Sequence, residues 1–380
     1  MILNCMEKQK RLLSVDALRG FDMLLISGGG AFLVRLKGTT GLPWIDWIAR
    51  QLTHPAWNGF TFYDFIFPLF LFTAGIALSY SIQSGISRGI NKKELYRKAF
   101  RRMLILIVLG ILDKNIPLNV FDPAQIRYGT VLGRIGLATF ITTLLYLNLS
   151  SRQRLYWVAG ILIAYCAALF LIPVPGYGAG DLSFEGNLVG RFDRTFMPGR
   201  LLQKTYDENA LLTQMPAHCL TVLGAFAGDM LQKQKPGYKK LLELSIAGIA
   251  SIALGLLWSS FFPLNKHLWT SSFILLTAGM AFLFLALFYW ITDVHGYRKW
   301  AFFFKVIGMN SLVIYLGIRF IDFDYSSKLL FGGWYMHVAE KWQPACNALG
   351  ALILVWLLLY FLYRKKIFIN PHCRKSSVKC

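Results

Sequence analysis

The segment 54–75, HPAWNGFTFYDFIFPLFLFTAG, carries polar groups in an apolar run long enough to cross a bilayer. Pro55 suits the first position of a helix, where a missing N–H costs nothing. His54 would then lie at the helix start. His54, Trp57 or Asn58, Thr61 and Asp64 follow three-and-four spacing and would share one face. Asp64 would sit about 15 Å along the axis from His54. A carboxylate at that depth needs a partner or water, and by default marks function. A histidine at a helix N-terminus would be held neutral by the dipole. It could then take a proton from an amine or hydroxyl, or act as a nucleophile. A capping histidine is the simpler alternative.

Other polar groups are spread more widely. In RLLSVDALRGFD, Asp16 and Arg19 can pair along one helix face, with Asp22 a turn further in. A pair fixing the helix at the interface is the simpler reading, and an anion site using Arg19 is the functional one. Gly28 and Gly29 follow, either for close helix packing or to leave room for a ligand. Arg101 and Arg102 close a basic loop, 85–102, that would contact headgroups or a nucleotide phosphate. Arg134 is deeper and needs an anionic partner, with Asp16, Asp22, Asp64 and Asp113 as candidates. Asn310 is an intramembrane amide, for helix contact or for substrate. His218 reads as a satisfied structural histidine. Trp269 reads as an interfacial aromatic at a helix start.

The elements that must position these groups are membrane spans. The chain has 380 residues, is 56% hydrophobic, and has mean hydropathy +0.49. That exceeds the apolar share of soluble domains. The fold class is all-α, a polytopic transmembrane helical bundle. Ten spans are expected, near 14–36, 57–84, 100–118, 127–148, 155–174, 210–231, 240–262, 268–292, 300–322 and 346–363. They form one transmembrane domain over 1–370, with a basic tail at 371–380. With both termini cytoplasmic, 24 Lys and Arg fall on the cytoplasmic face and 12 on the other. This asymmetry satisfies the positive-inside rule and puts His54 outside. The net charge of +21 therefore reflects topology rather than nucleic-acid binding. Three outer loops, 37–56, 175–209 and 323–345, are long enough to contact a polar substrate.

Several chemistries lack their motifs. P-loop, GxGxxG, HExxH and GxSxG are absent, which argues against nucleotide-driven transport, nicotinamide chemistry, zinc hydrolysis and serine hydrolysis. The six cysteines are scattered without metal spacing, so neither a disulfide nor a metal is expected.

Five stretches carry a resemblance, in order: RLLSVDALRG, the 54–75 block, YDENALLTQMPA with LGAFAGD, PLNKHLWTSSFILLTAG, and GMNSLVIYLG. Over about residues 11–365 the chain resembles the membrane acetyltransferases typified by heparan-alpha-glucosaminide N-acetyltransferase. The resemblance implies transfer of an acetyl group from cytoplasmic acetyl-CoA, as co-substrate, to a terminal glucosamine amine across the membrane. The family's active histidine falls on His54. Asp64 would support it, and Trp57 and Asn58 would shape the pocket. Basic cytoplasmic ends, with Arg101 and Arg102, and the membrane-embedded Arg19 and Arg134 would hold the nucleotide phosphates. The family's D-P-E-G-L is Asp207-Glu208-Asn209-Ala210-Leu211 here, making Asp207 and Glu208 candidate substrate contacts beside Asn310. The family's first-span asparagine is missing; Ser27 stands near its place. A bacterial inner-membrane form without the luminal domain is expected, and a homodimer follows only by analogy. General-base and acetyl-histidine mechanisms both remain open. A transporter or flippase of a glycan or anion, using Asp22, Asp64 and Arg134, is the alternative function.

Overall fold

The computed structural model describes residues 12–367. No β-strand occurs among them; two isolated bridges, Arg127 with Gly199 and Val174 with Gly178, close loops. The helices in order are α1 (Leu13–Leu24), α2 (Ala31–Arg35), α3 (Pro43–Gln51), α4 (Phe62–Ser87), α5 (Lys92–Lys114), α6 (Val131–Asn148), α7 (Ser151–Leu171), α8 (Leu188–Phe196), α9 (Gln214–Gln232), α10 (Gly237–Trp258), α11 (Ser271–Tyr289), α12 (Ala301–Met309), α13 (Ser311–Phe320), α14 (Phe323–Tyr335) and α15 (Gln343–Arg364).

Among the described residues, seven helices are long and apolar enough to cross a membrane. An eighth crossing results if α12 and α13, bent by 70° at Asn310, are one span. The other two expected spans fall on α5 and α9, which are not among these. The first turns of α5 carry the basic residues assigned to a loop, so only residues 88–91 connect α4 to α5. The three long outer loops are not plain loops either. They contain α3, α8 and α14. The tail 371–380 and the first eleven residues lie outside the described residues.

Local chemistry sets the helix starts. Thr130 caps α6 by accepting the Gly133 N–H at 3.1 Å. Ser150 and Gln153 form a capping box on α7. The first span is broken after α1, where Gly28 takes φ +98°, a conformation that favours glycine.

The main core joins α1, α4, α6, α9 and α11 through Phe65, Leu69, Phe72, Leu220, Phe273 and Phe282. Helices approach closely where they present glycine. A Cβ on Gly75 would stand 2.0 Å from Thr221 O, and one on Gly224 would stand 1.9 Å from Phe72 O. These crossings lock α4 to α9 and leave no room for a side chain. On α10, Leu242, Ile246, Ile249 and Leu257 are exposed, a face suited to lipid.

Candidate active site

His54 is not on a helix. Residues 52–61 form a loop, and α4 begins at Phe62 with Thr61 as N-cap. The expected stripe over 54–64, with Pro55 as first helical residue, is therefore corrected. The reason is local: Thr61 and Asp64 make a capping box, which starts the helix seven residues later than Pro55 would. Asp64 Oδ2 accepts the Thr61 N–H at 3.0 Å and the Thr61 hydroxyl at 3.2 Å. The loop then folds back over the helix start. His54 Nδ1 lies 2.6 Å from Asp64 Oδ1, not the nearly three turns of helix, about 15 Å, that continuous helix would put between them.

This contact fixes the imidazole. An ionised carboxylate only accepts, so Nδ1 carries the proton and Nε2 presents its lone pair. The Asp64 side chain is 0% exposed and that of His54 is 38% exposed. A buried acid thus orients a reachable base. Tyr63 packs beside the imidazole, with ring centroids 4.8 Å apart.

The loop between α10 and α11 completes the site. Lys266 Nζ stands 3.0 Å from His54 Nε2 and 3.9 Å from Asp64 Oδ1. Asn265 Nδ2 donates to Asn58 Oδ1 at 3.0 Å, and the Gly59 N–H donates to Leu264 O at 2.9 Å. The two loops are stitched together at the two residues just before Lys266. Trp57 stacks on His267 at 5.3 Å and 11°, and its Nε1–H donates to Leu182 O at 2.9 Å. Phe184 and Tyr206 pack against the same indole. The Tyr206 hydroxyl is 2.9 Å from His267 Nδ1. Burial pushes the His267 imidazole below its ordinary range; Lys266 adds to this and Glu208 opposes it.

The candidates named from sequence divide. His54, Asp64, Trp57 and Asn58 come together. Glu208 borders the site through His267, with Oε2 3.7 Å from Nδ1. Asp207 does not present itself to a ligand. It is buried and bound by Arg127 through Nε at 2.7 Å and a second nitrogen at 2.9 Å.

Arg134 has none of its four expected carboxylate partners. Its guanidinium donates to Glu208 O and the Thr213 hydroxyl, and lies 4.3 Å over the Trp269 ring. It braces the floor behind the site. Trp269 is 1% exposed and belongs to the core, not to an interfacial belt. His218 is buried, with Nε2 accepting from Trp157 at 3.0 Å and Nδ1 beside Gln214 O, as a structural histidine would be.

A second polar group lies in the interior, away from these loops. Asn310 occupies the α12–α13 bend and Asp22 lies on α1; both are buried, with all their side-chain oxygens and nitrogens unpartnered. The Arg19 guanidinium is 5.8 Å from the Phe70 ring and close enough to Arg102 to act on its charge. Arg101 is exposed at the start of the apolar part of α5. Gly28 lines a cavity of about 530 Å³ with Ile318, Arg319 and Asp322; a Cβ on Gly29 would strike Leu24. Among the described residues no group of His, Cys, Asp or Glu could hold a metal ion.

Lys266 and His267 were not singled out from the sequence as site residues. Their signal was the PLNKHLWT block, whose lysine counted only as an outer charge. Nothing in spacing alone joins position 266 to position 54.

Together these features define a polytopic helical membrane protein with a His–Asp dyad at one end of its bundle. The family heparan-alpha-glucosaminide N-acetyltransferase, catalytic, matches residues 11–256, and the chain belongs to it. Human heparan-alpha-glucosaminide N-acetyltransferase is 28% identical over 94% of this chain and 59% of its own length. The mouse protein of that name is 26% identical over 94% of this chain and 60% of its own. The chain thus spans about three fifths of the curated relatives it matches.

Proposed function

We propose that the chain is an acetyl-CoA-dependent N-acetyltransferase acting on a glucosamine-like amine. The observation that carries this reading is the 2.6 Å His54–Asp64 contact, which turns Nε2 of a reachable histidine, beside Lys266 Nζ, toward proton transfer or attack. Family membership supplies the reaction class.

In the direct route, the acceptor amine attacks the thioester carbonyl. Its C–N bond forms, His54 Nε2 takes the amine proton, and the C–S bond breaks as that proton passes to sulfur. In the two-step route, Nε2 attacks the carbonyl and the C–S bond breaks, releasing the CoA thiolate; the amine then attacks the acetyl-imidazolium, the bond to Nε2 breaks, and the amine proton passes to the freed Nε2 and from there to the thiolate or water. Asp64 holds the same tautomer and balances the imidazolium in both. Trp57 and Asn58 shape the acceptor pocket, with Glu208 at its border.

The charge asymmetry of the sequence supports a cytoplasmic donor and an extracytoplasmic acceptor. Arg19, Arg101 and Arg102 are suited to the phosphates of acetyl-CoA. Asp22 and Asn310 offer unpartnered polar atoms in the interior between the two ends. The test is incubation of the purified protein with labelled acetyl-CoA and a panel of amino sugars, read by mass spectrometry. An N-acetylated product is expected. Movement of unmodified sugar across a vesicle membrane without acetylation would instead support a transporter.

A further inference from the structure

Lys266 holds a position that Asp64 does not need. Asp64 already receives His54 Nδ1–H, the Thr61 N–H and the Thr61 hydroxyl. At 3.9 Å the lysine is beyond hydrogen-bond reach of Oδ1. It stands beside the imidazole, 3.0 Å from Nε2 and 3.4 Å from Nδ1, and is nearest to Nε2, the one atom of the dyad left for chemistry. The side chain is 11% exposed, and the backbone around it is pinned by Asn265 to Asn58 and by Leu264 to Gly59. An ammonium has three donors, and they can turn to an oxygen that arrives beside the ring.

We propose that Lys266 is the oxyanion donor of the acyl-transfer site, and this rests on the acetyltransfer reading above. When a thioester carbonyl meets Nε2, or meets an amine hydrogen-bonded to Nε2, its oxygen comes within reach of the lysine stem. Charge develops on this oxygen as the carbonyl becomes tetrahedral. The Nζ group is already 3.0 Å from Nε2 on a flexible stem, and turning one donor onto the oxygen requires only side-chain rotation. The negative charge is countered as it forms; when the C–S bond breaks, the oxygen's electron pair re-forms the C=O bond and the charge leaves on sulfur. The lysine keeps its proton throughout, so the balance of the reaction is unchanged. The arrangement serves both routes, because the oxygen comes within reach of the lysine in each.

The experiment compares wild type, Lys266→Met, and Lys266→Cys before and after alkylation with 2-bromoethylamine, which rebuilds an ammonium of nearly the same reach. Loss of one oxyanion donor is expected to lower kcat about 10²–10³-fold. KM for acetyl-CoA should stay within about threefold. Aminoethylation of Lys266→Cys should restore kcat at least tenfold, with wild type alkylated in parallel as the control for the native cysteines. Thermal stabilisation by acetyl-CoA checks that each variant is folded. A Lys266→Met enzyme within threefold of wild-type kcat overturns the assignment. So does a folded, alkylated Lys266→Cys that recovers nothing. If wild type itself transfers no acetyl group to any amino sugar, the acetyltransfer reading fails first and this inference falls with it.

Discussion

Asp64 Oδ1 lies 2.6 Å from His54 Nδ1 across a chain segment that is not helical until residue 62. The same carboxylate caps its own helix through Thr61, so one buried acid both starts α4 and orients the base. Asp64→Asn keeps the shape but offers an amide N–H or a weaker acceptor, which releases the tautomer. We expect kcat to fall about 10²–10⁴-fold, the range for a positioned base. His54→Ala should abolish transfer, with acetyl-CoA binding by thermal shift retained. Wild-type turnover in His54→Ala would remove His54 from the chemistry.

On the proposed reading, Trp57 forms the acceptor side of the site. Its indole is held by Leu182 O and stacked on His267, so its orientation is set before any acceptor arrives. Trp57→Ala should raise KM for the amino sugar about tenfold, equivalent to about 1.4 kcal/mol. KM for acetyl-CoA should change less than twofold. Equal increases for both substrates, measured by initial rates, would mean that the residue supports the whole site and not the acceptor side.

The Arg127–Asp207 pair is structural in this arrangement. Both side chains are buried, and Asp207 also accepts the Leu202 and Asn209 N–H groups at 3.1 and 2.9 Å. Removing one partner strands the other charge, at a cost of about 3–5 kcal/mol. Arg127→Met should therefore lower the unfolding temperature in detergent more than Arg127→Met combined with Asp207→Leu. A single variant of normal stability but impaired acceptor KM would return Asp207 to the substrate site.

The contrast between residues 54 and 266 shows what sequence could convey. Helical segments were legible because hydrophobic runs of bilayer length have few other uses, and His54 and Asp64 stood out as polar groups beside such a run. Spacing puts them on one face of a helix that does not form, about 15 Å apart, and not in contact. A capping box at Thr61 overrode the proline signal at Pro55, and the loop achieved a tighter contact than helical spacing could. Lys266 approaches His54 only through tertiary packing of two loops more than two hundred residues apart, a relation with no local signature. Arg134 and Trp269 were misplaced for a related reason. Each looks interfacial or ligand-bound alone, but together they bury a cation against a ring.

Asp193, on α8, is 0% exposed, and its Oδ2 accepts the Asp207 N–H at 3.2 Å. Burial pushes its carboxyl up to about 7; the Asp207 charge adds to this, while that hydrogen bond and Arg134 pull the other way. An unfolded aspartate titrates near 3.9. Between about pH 4 and pH 7 the folded chain therefore holds a proton that the unfolded chain has released. The stability contributed by this group is fully present below the lower value, and is lost as pH rises to about 7. Above that it changes no further. Asp193→Asn cannot ionise, yet its side-chain oxygen can still accept from Asp207. Relative to wild type, its unfolding temperature should rise from pH 5 to pH 7.5 by a few degrees, then hold level to pH 8.5. Thermal unfolding in detergent across that series is the measurement. A difference between the two proteins that stays constant with pH would show that Asp193 is ionised in the folded state throughout, and that its contact with Asp207 is an ordinary hydrogen bond to a charged carboxylate.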